Sequence, residues 1–276
     1  MPCTTMVILT YHKIRDVANF ERQIDYLVRK KYNLLSLSDF LSGYSARTLT
    51  SRDVLITFDD GDYSILDHAL PVLKKFSCPA VAFVVTGLIG TDEPFWWDEI
   101  EFHTHDVGKV QEAKRVMNNE RLNLLKNIRS ASKKPPLKYR QLTVEELRKL
   151  EQGGVAIANH SHTHPMLDKL DAPDIAKELQ ESVTFLRANG FAFCDIFAYP
   201  NGNWTRATEK VLNEQNMRMA FLFDHRLNLA DDTPFRISRL SVNDRTPLWK
   251  YYLILRGWHS RILPLTKMIG KFWTTE

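Results

Sequence analysis

Short apolar runs alternate with amphipathic helical segments along most of this 276-residue chain, and that alternation limits the folds open to it. The runs at 7–11, 34–37, 54–58, 80–85, 155–158, 195–199 and 219–223 have the length of buried strands. Helical spacing of apolar residues falls between them, at 20–31, 65–76, 143–152, 173–189 and 205–216. A short helix capped by Ser38 and ending near Gly43 is also expected. Pro71 marks a start or kink in the second of the long helices, and Thr143 with Glu146 makes a capping box ahead of the third. Strands that alternate with helices imply parallel β–α units, and six or seven of them close a barrel or build an open doubly wound sheet.

Composition removes other classes. With 44% hydrophobic and 25% charged residues the chain is neither disordered nor collagen-like. Its three cysteines, Cys3, Cys78 and Cys194, are odd in number and far apart, which argues against a disulfide framework and against a thiolate zinc site. No glycine-rich phosphate loop is present, because the stretch 87–90 lacks the required spacing and lysine. The N-terminus carries neither a basic leader nor a long apolar span, so the expectation is a cytoplasmic protein.

Chemistry-bearing residues gather where strands end. Asp59 and Asp60 follow the strand at 54–58, and adjacent carboxylates repel unless a cation or an arginine offsets them. A capped turn is the plainer account of Asp-Asp-Gly taken alone. His160, His162 and His164 follow the strand at 155–158. On a helical turn, His160 and His164 would share one side, a spacing that suits a divalent metal with two nitrogen ligands and one carboxylate. His12 ends the first strand and is a candidate general acid. Tyr199-Pro200-Asn201-Gly202 ends another strand in a shaped turn, whose amides could face an oxyanion. Active sites of parallel α/β folds lie at that edge. The set reads as a metal-assisted hydrolase: a carboxylate takes a proton from water, and an imidazolium protonates the leaving group.

Three motifs, in order, resemble those of the polysaccharide deacetylases, the NodB-homology carbohydrate esterases: Thr57-Phe58-Asp59-Asp60-Gly61, His160-Ser161-x-x-His164, and Tyr199-Pro200-Asn201-Gly202. Tyr11-His12 resembles a circularly permuted branch, similar to the exopolysaccharide N-deacetylases, in which the motif with the catalytic histidine comes first. The resemblance implies an α/β fold, a distorted (β/α)7 barrel, and removal of N-acetyl groups from amino sugars. It implies Asp59 as general base, His12 as general acid, and Asp60, His160 and His164 as ligands of a divalent metal, Zn2+ first. One departure stands out: the family's third motif often begins with an arginine that steadies the catalytic aspartate, and Ala198 occupies that place here. Arg236 and Arg239 are the candidate replacements. Tyr199, Pro200, Asn201, Trp97 and Arg239 are expected to bind substrate.

Two segments lie outside the barrel pattern. The insertion at 91–140 begins with Trp96 and Trp97, and its portion 109–140 carries a formal charge of +8. It reads either as a solvated helical face or as a rim that receives an acidic or phosphate-bearing glycan, and the tryptophans either as ordinary core or as a face offered to a sugar ring. The tail 247–276 carries +4 mixed with aromatic and aliphatic residues, a pattern that fits a helix packed on the barrel or on a partner subunit, or one lying on a membrane surface. The chain would then divide into a barrel at 1–246 and an amphipathic tail. The rest of the chain sums to −8, so the barrel itself is acidic. No nucleic-acid motif accompanies the positive charge. The expected substrate is an N-acetylated glycan or a lipid- or nucleotide-linked sugar. The rival readings are a metal amidohydrolase of small non-sugar amides and a non-catalytic glycan-binding barrel.

Overall fold

The computed structural model describes residues 6–228 and 233–258. The strands, in chain order, are β1 (Val7–Tyr11), β2 (Asn33–Leu34), β3 (Asp53–Phe58), β4 (Ala80–Val84), β5 (Val155–Asn159), β6 (Phe193–Ala198), β7 (Met219–Phe221) and β8 (Leu240–Ser241). The helices are α1 (Val17–Arg29), α2 (Leu37–Ala46), α3 (Leu70–Lys75), α4 (Trp96–Thr104), α5 (Val107–Arg115), α6 (Asn118–Ala131), α7 (Val144–Gln152), α8 (Ala172–Ala188), α9 (Arg206–Glu214) and α10 (Leu248–Leu255). All strand pairings are parallel, in the order β7-β6-β5-β4-β3-β1-β8, with β2 beside the start of β3. A parallel bridge from Phe221 to Ile237 brings the segment leading into β8 back against β7. Seven strands thus surround one interior, the barrel that the family resemblance implied and one of the two architectures that the strand–helix pattern left open.

Side-chain parity decides what faces that interior. Met6 just before β1, Ile8 from β1, Leu55 from β3, Val81 and Phe83 from β4, and Ile196 and Ala198 from β6 pack together inside. Their neighbours Val7, Leu9, Val54, Ile56, Ala80 and Ala82 face the helix layer. Burying strands on both faces leaves them almost wholly apolar, which is why periodicity marked them as continuous runs.

Several boundaries differ from the sequence expectation. The strand expected at 34–37 is only Asn33–Leu34, and the next helix starts at once, capped by Ser36 rather than Ser38, with Asp39 N–H donating to its hydroxyl. It runs past Gly43 to Ala46 and ends at a left-handed Arg47. The expected helix at 65–76 opens as a π-helical turn, Ile65–Ala69, before α3 continues with Pro71 in its first turn. The capping box of Thr143 and Glu146 is formed as expected.

The insertion folds into α4, α5 and α6, which close on a small core of their own containing Trp96, Ile100, Val110, Ala113, Leu125 and Ile128. Met166, from the loop after β5, joins that core and ties the insertion to the barrel. At the other end, α10 lays Tyr251, Ile254 and Leu255 into the outer core beside α1. The rest of the basic-aromatic tail, including Phe272 and Trp273, lies outside the described residues, as does Cys3. Among the described residues no helix is long and apolar enough to cross a membrane.

Candidate active site

Continuing the inward parity of each strand by one step leads to one cavity. Ile8 and Thr10 lead to His12, Leu55 and Thr57 to Asp59, Ala156 and Ala158 to His160, and Met219 and Phe221 to Phe223. All four end residues line a cavity of about 230 Å3 at the C-terminal edge of the barrel. Asp60 would face outward by the same count. It faces the cavity instead because Asp60 and Gly61 adopt left-handed conformations, φ +71° and +80°, which end the strand abruptly. The positive φ at position 61 favours glycine, and a Cβ there would also crowd Val84 at 3.1 Å.

His160 and His164 do not share a helical turn, as their spacing suggested. The loop bends through Ser161 at φ +67° and His164 at φ +54°, and this brings the two imidazoles to 4.9 Å between centroids. The loop's polar groups are held from several sides. Thr86 and Gly87 amides donate to the Ser161 and His162 carbonyls, and Glu178 of α8 accepts from the amides of His162 and Thr163. His162 itself turns away, with its Nδ1 3.0 Å from the Thr86 hydroxyl, and lies outside the cluster of Asp60, His160 and His164.

That cluster fits a divalent cation. Asp60 Oδ1 lies 3.4 Å from His160 Nε2 and 3.5 Å from His164 Nε2. Metal–ligand bonds of ~2.1 Å at tetrahedral angles place donor atoms ~3.4 Å apart. His160 Nδ1 donates to the Ala198 carbonyl at 2.8 Å, which leaves Nε2 as the atom turned to the cluster. His164 Nδ1 is buried without a partner. Burial and the neighbouring His160 push the His164 imidazole down to about 3, so its lone pair is free at neutral pH. Burial pushes Asp60 up, but His160, His12 and His164 more than offset this and hold it well below the usual carboxylate range. One buried carboxylate with two imidazole nitrogens within 3.5 Å is a donor set that suits a divalent cation.

Asp59 has its own counter-charge. Arg239, fully buried, donates from Nη1 to Asp59 Oδ1 at 2.6 Å and from Nη2 to Oδ2 at 2.7 Å. Its Nε donates to the Leu222 carbonyl and Nη1 also reaches Thr57 Oγ1, so the guanidinium is fixed at both ends. Burial raises the Asp59 carboxyl, and Arg239 followed by His160 brings it below its ordinary value. Arg239 therefore stands where the missing arginine of the third motif was sought. Arg236 does not: it pairs with Glu209, Nη2 to Oε2 at 2.7 Å, on the outer side.

The expected substrate-binding set divides. Asn201 and Trp97 line the cavity. Tyr199 has outward parity, packs among Phe197, Val211 and Leu222, and donates its hydroxyl to the Phe235 carbonyl. Pro200 is buried, and Arg239 is behind Asp59 rather than at the cavity wall. In the turn itself the Gly202 and Asn203 amides are already bonded to Tyr199 and Pro200 carbonyls. Gly202 has φ +75°, and a Cβ there would strike Phe223 N at 2.7 Å, so the turn is pinned against the cavity-lining Phe223 segment.

The remaining wall comes from the insertion. Glu101, Val107, Val110 and Lys114 line the same cavity, and Lys114 Nζ donates to Asn201 Oδ1 at 2.9 Å across its mouth. Sequence reasoning did not single out these residues or Phe223. Parity along 219–223 could have found Phe223, and no spacing rule points to Lys114. A second cavity of about 470 Å3 adjoins the first, sharing Trp97 and His164.

Residues 46–220 match the polysaccharide deacetylase family. The chain is 24% identical over 227 residues to a Staphylococcus aureus protein named poly-beta-1,6-N-acetyl-D-glucosamine N-deacetylase, a match that covers 82% of this chain and 67% of that one. Its fold is similar to that of the Streptococcus pyogenes deacetylase PplD, solved in complex with acetate, with TM-score 0.69, 18% identity, and 92% and 99% of the two chains covered. It is likewise similar to IcaB from Ammonifex degensii, with TM-score 0.65, 20% identity, and 92% and 97% covered.

Proposed function

The chain belongs to the polysaccharide deacetylase family, and from that premise we propose that it removes N-acetyl groups from an amino-sugar polysaccharide in a reaction that depends on a divalent metal. The observation that carries the proposal is the convergence, in one cavity, of the cluster Asp60, His160 and His164 with the two further titratable groups Asp59 and His12. A binding barrel has no use for that combination, whereas metal-assisted hydrolysis of an amide uses each part of it.

Asp60, His160 and His164 would hold the metal, Zn2+ being the first to test. Bound there, the metal would act as a Lewis acid on the acetamide carbonyl and lower the pKa of a water molecule. Asp59 accepts the proton of the attacking water. Arg239 keeps that carboxylate ionised and aimed, because both of its oxygens are gripped. His12, held edge-on to Phe223 at 5.2 Å between centroids, donates a proton to the departing amine. Trp97 and the walls from the insertion exclude water from one side, and Asn201 and Lys114 offer polar contacts to a sugar ring.

The similarity to proteins named poly-beta-1,6-N-acetyl-D-glucosamine N-deacetylase supports a β-1,6-linked N-acetylglucosamine polymer as the first substrate to assay. Lipid- or nucleotide-linked precursors of such a polymer form the second group. The purified protein, loaded with Zn2+, Co2+ or Ni2+, is expected to release acetate from N-acetylglucosamine oligomers, and chelation is expected to stop it. Absence of acetate from polymer and precursors alike, with metal bound, would overturn the activity.

Peripheral membrane contact through 247–276 is part of the same reading. Trp249 (67% exposed) and Tyr252 on α10 and the exposed Trp258 shortly after it accompany Lys250 and Arg256, a mixture suited to a headgroup layer. Pelleting with anionic vesicles tests it, and failure to pellet removes this part alone.

A further inference from the structure

The two histidines of the metal cluster are oriented by different means. His160 is held through its ring, Nδ1 to the Ala198 carbonyl, the usual outer bond that fixes a ligand imidazole. His164 has no such bond, since its Nδ1 is buried and unpartnered. Its backbone is in a left-handed conformation at φ +54°, so the loop does not hold it there by conformational preference. Its amide donates to Ser161 Oγ, and its carbonyl points away from the barrel into the insertion.

There the carbonyl meets two donors. Trp96 Nε1 donates to it at 3.2 Å, and Arg121 Nη1 stands at 3.5 Å. Both side chains are buried, and the Arg121 guanidinium lies over the Trp96 ring at 4.8 Å. Arg121 has no carboxylate partner among the described residues; its Nη2 donates to Asn118 Oδ1 and its Nε is unpartnered. A buried guanidinium with so little compensation is costly. Trp97, the next residue, packs edge-on to the His164 ring at 4.6 Å. Trp96, Trp97 and Arg121, all from the insertion, hold His164 from the side away from the barrel.

We infer that Trp96 and Arg121 are positioning residues for the metal ligand His164: by holding its carbonyl they set the direction of its imidazole and hence the affinity of the site. The insertion is then part of the metal centre as well as a wall of the cavity. This inference rests on the metal-site reading above.

The test is competition of the full chain with a chromophoric chelator for Zn2+, together with the visible spectrum of the Co2+-loaded protein. The variants are Trp96→Phe, which keeps the ring and removes the donor, Arg121→Met, and the two combined. The double variant is expected to bind Zn2+ about 10–100-fold more weakly than the wild type. Its Co2+ bands are expected to shift, whereas Lys126→Met, on the exposed face of the same insertion, leaves both unchanged. Arg121→Lys is expected to recover part of the loss. If the double variant does not fold, Trp96→Phe alone carries the test. Wild-type affinity and an unshifted Co2+ spectrum in the variants would overturn the inference while leaving the metal site standing. Failure of the wild type itself to bind Zn2+ or Co2+ would overturn both.

Discussion

Arg239 grips Asp59 through both carboxylate oxygens, at 2.6 and 2.7 Å, from a position 180 residues further along the chain. Arg239 is fully buried and Asp59 is exposed only towards the cavity, so either charge is poorly compensated if the other is lost. Removing one partner of a buried pair typically costs about 3–5 kcal/mol. Arg239→Met is therefore expected to lower stability by about that amount and to remove most acetate release. Urea unfolding and an acetate assay check it. A variant that is as stable as the wild type would contradict the assigned role.

The same pair fixes an acid dependence. Burial pushes Asp59 up and Arg239 more than reverses it, so its folded value lies below the ~3.9 of an unfolded aspartate. A group depressed on folding contributes stability that is present above the unfolded value and lost as pH falls through the folded one. In Arg239→Met that contribution is gone and burial alone pushes the carboxyl up, so the stability gap between the metal-free proteins is largest near neutral pH and narrows as pH falls towards ~3. Unfolding midpoints from pH 7 to pH 3 measure the gap. A gap independent of pH would mean that the pair's charge is not what Arg239 supports.

Asp59 and His160 are expected to fail differently. Asp59→Asn keeps the three ligand atoms and loses the proton acceptor, so metal content stays near wild type while turnover falls by roughly 10²–10⁴. His160→Ala loses metal and turnover together. Metal analysis alongside the acetate assay separates the two. Substantial turnover in Asp59→Asn would remove Asp59 from the role of base.

Lys114 reaches the cavity from the insertion and donates to Asn201 at its mouth. Burial lowers its ammonium pKa, a sign that it sits partly out of water. A hydrogen bond from a charged group contributes about 1.5–3 kcal/mol. Lys114→Met is expected to raise KM about tenfold or more with kcat and Zn2+ affinity little changed. A fall in kcat alone would place Lys114 in the chemical step instead.

Cys78 and Cys194 are free and buried. Burial pushes the Cys78 thiol up to about 12, so it carries almost no thiolate at neutral pH. Cys78 is expected to react with Ellman's reagent only on unfolding, and modification mapped by mass spectrometry before and after urea tests this. Rapid labelling of the folded protein would show that the outer core opens at Cys78.

What the sequence determined was local. Apolar runs separated by helical spacing established parallel β–α units, because a strand covered on both faces must be apolar throughout. Motifs at the ends of those runs identified Asp59, Asp60, His160, His164 and His12, because a strand end fixes both where a residue lies and, by parity, which way it faces. Counting parity further would also have turned Tyr199 outward and Phe223 inward. Where a left-handed residue breaks the count, as at Asp60 and Ser161, pattern alone misjudged the local shape. The tertiary structure decided which distant groups meet. β8 is only Leu240–Ser241, too short to leave a periodic signal, yet it delivers Arg239 to Asp59. The insertion read as a basic rim, and its Trp96, Arg121 and Lys114 reach His164 and Asn201 through packing that no spacing encodes. Charges buried far apart in the chain are paired only when the barrel closes, and closure is a property of the whole fold.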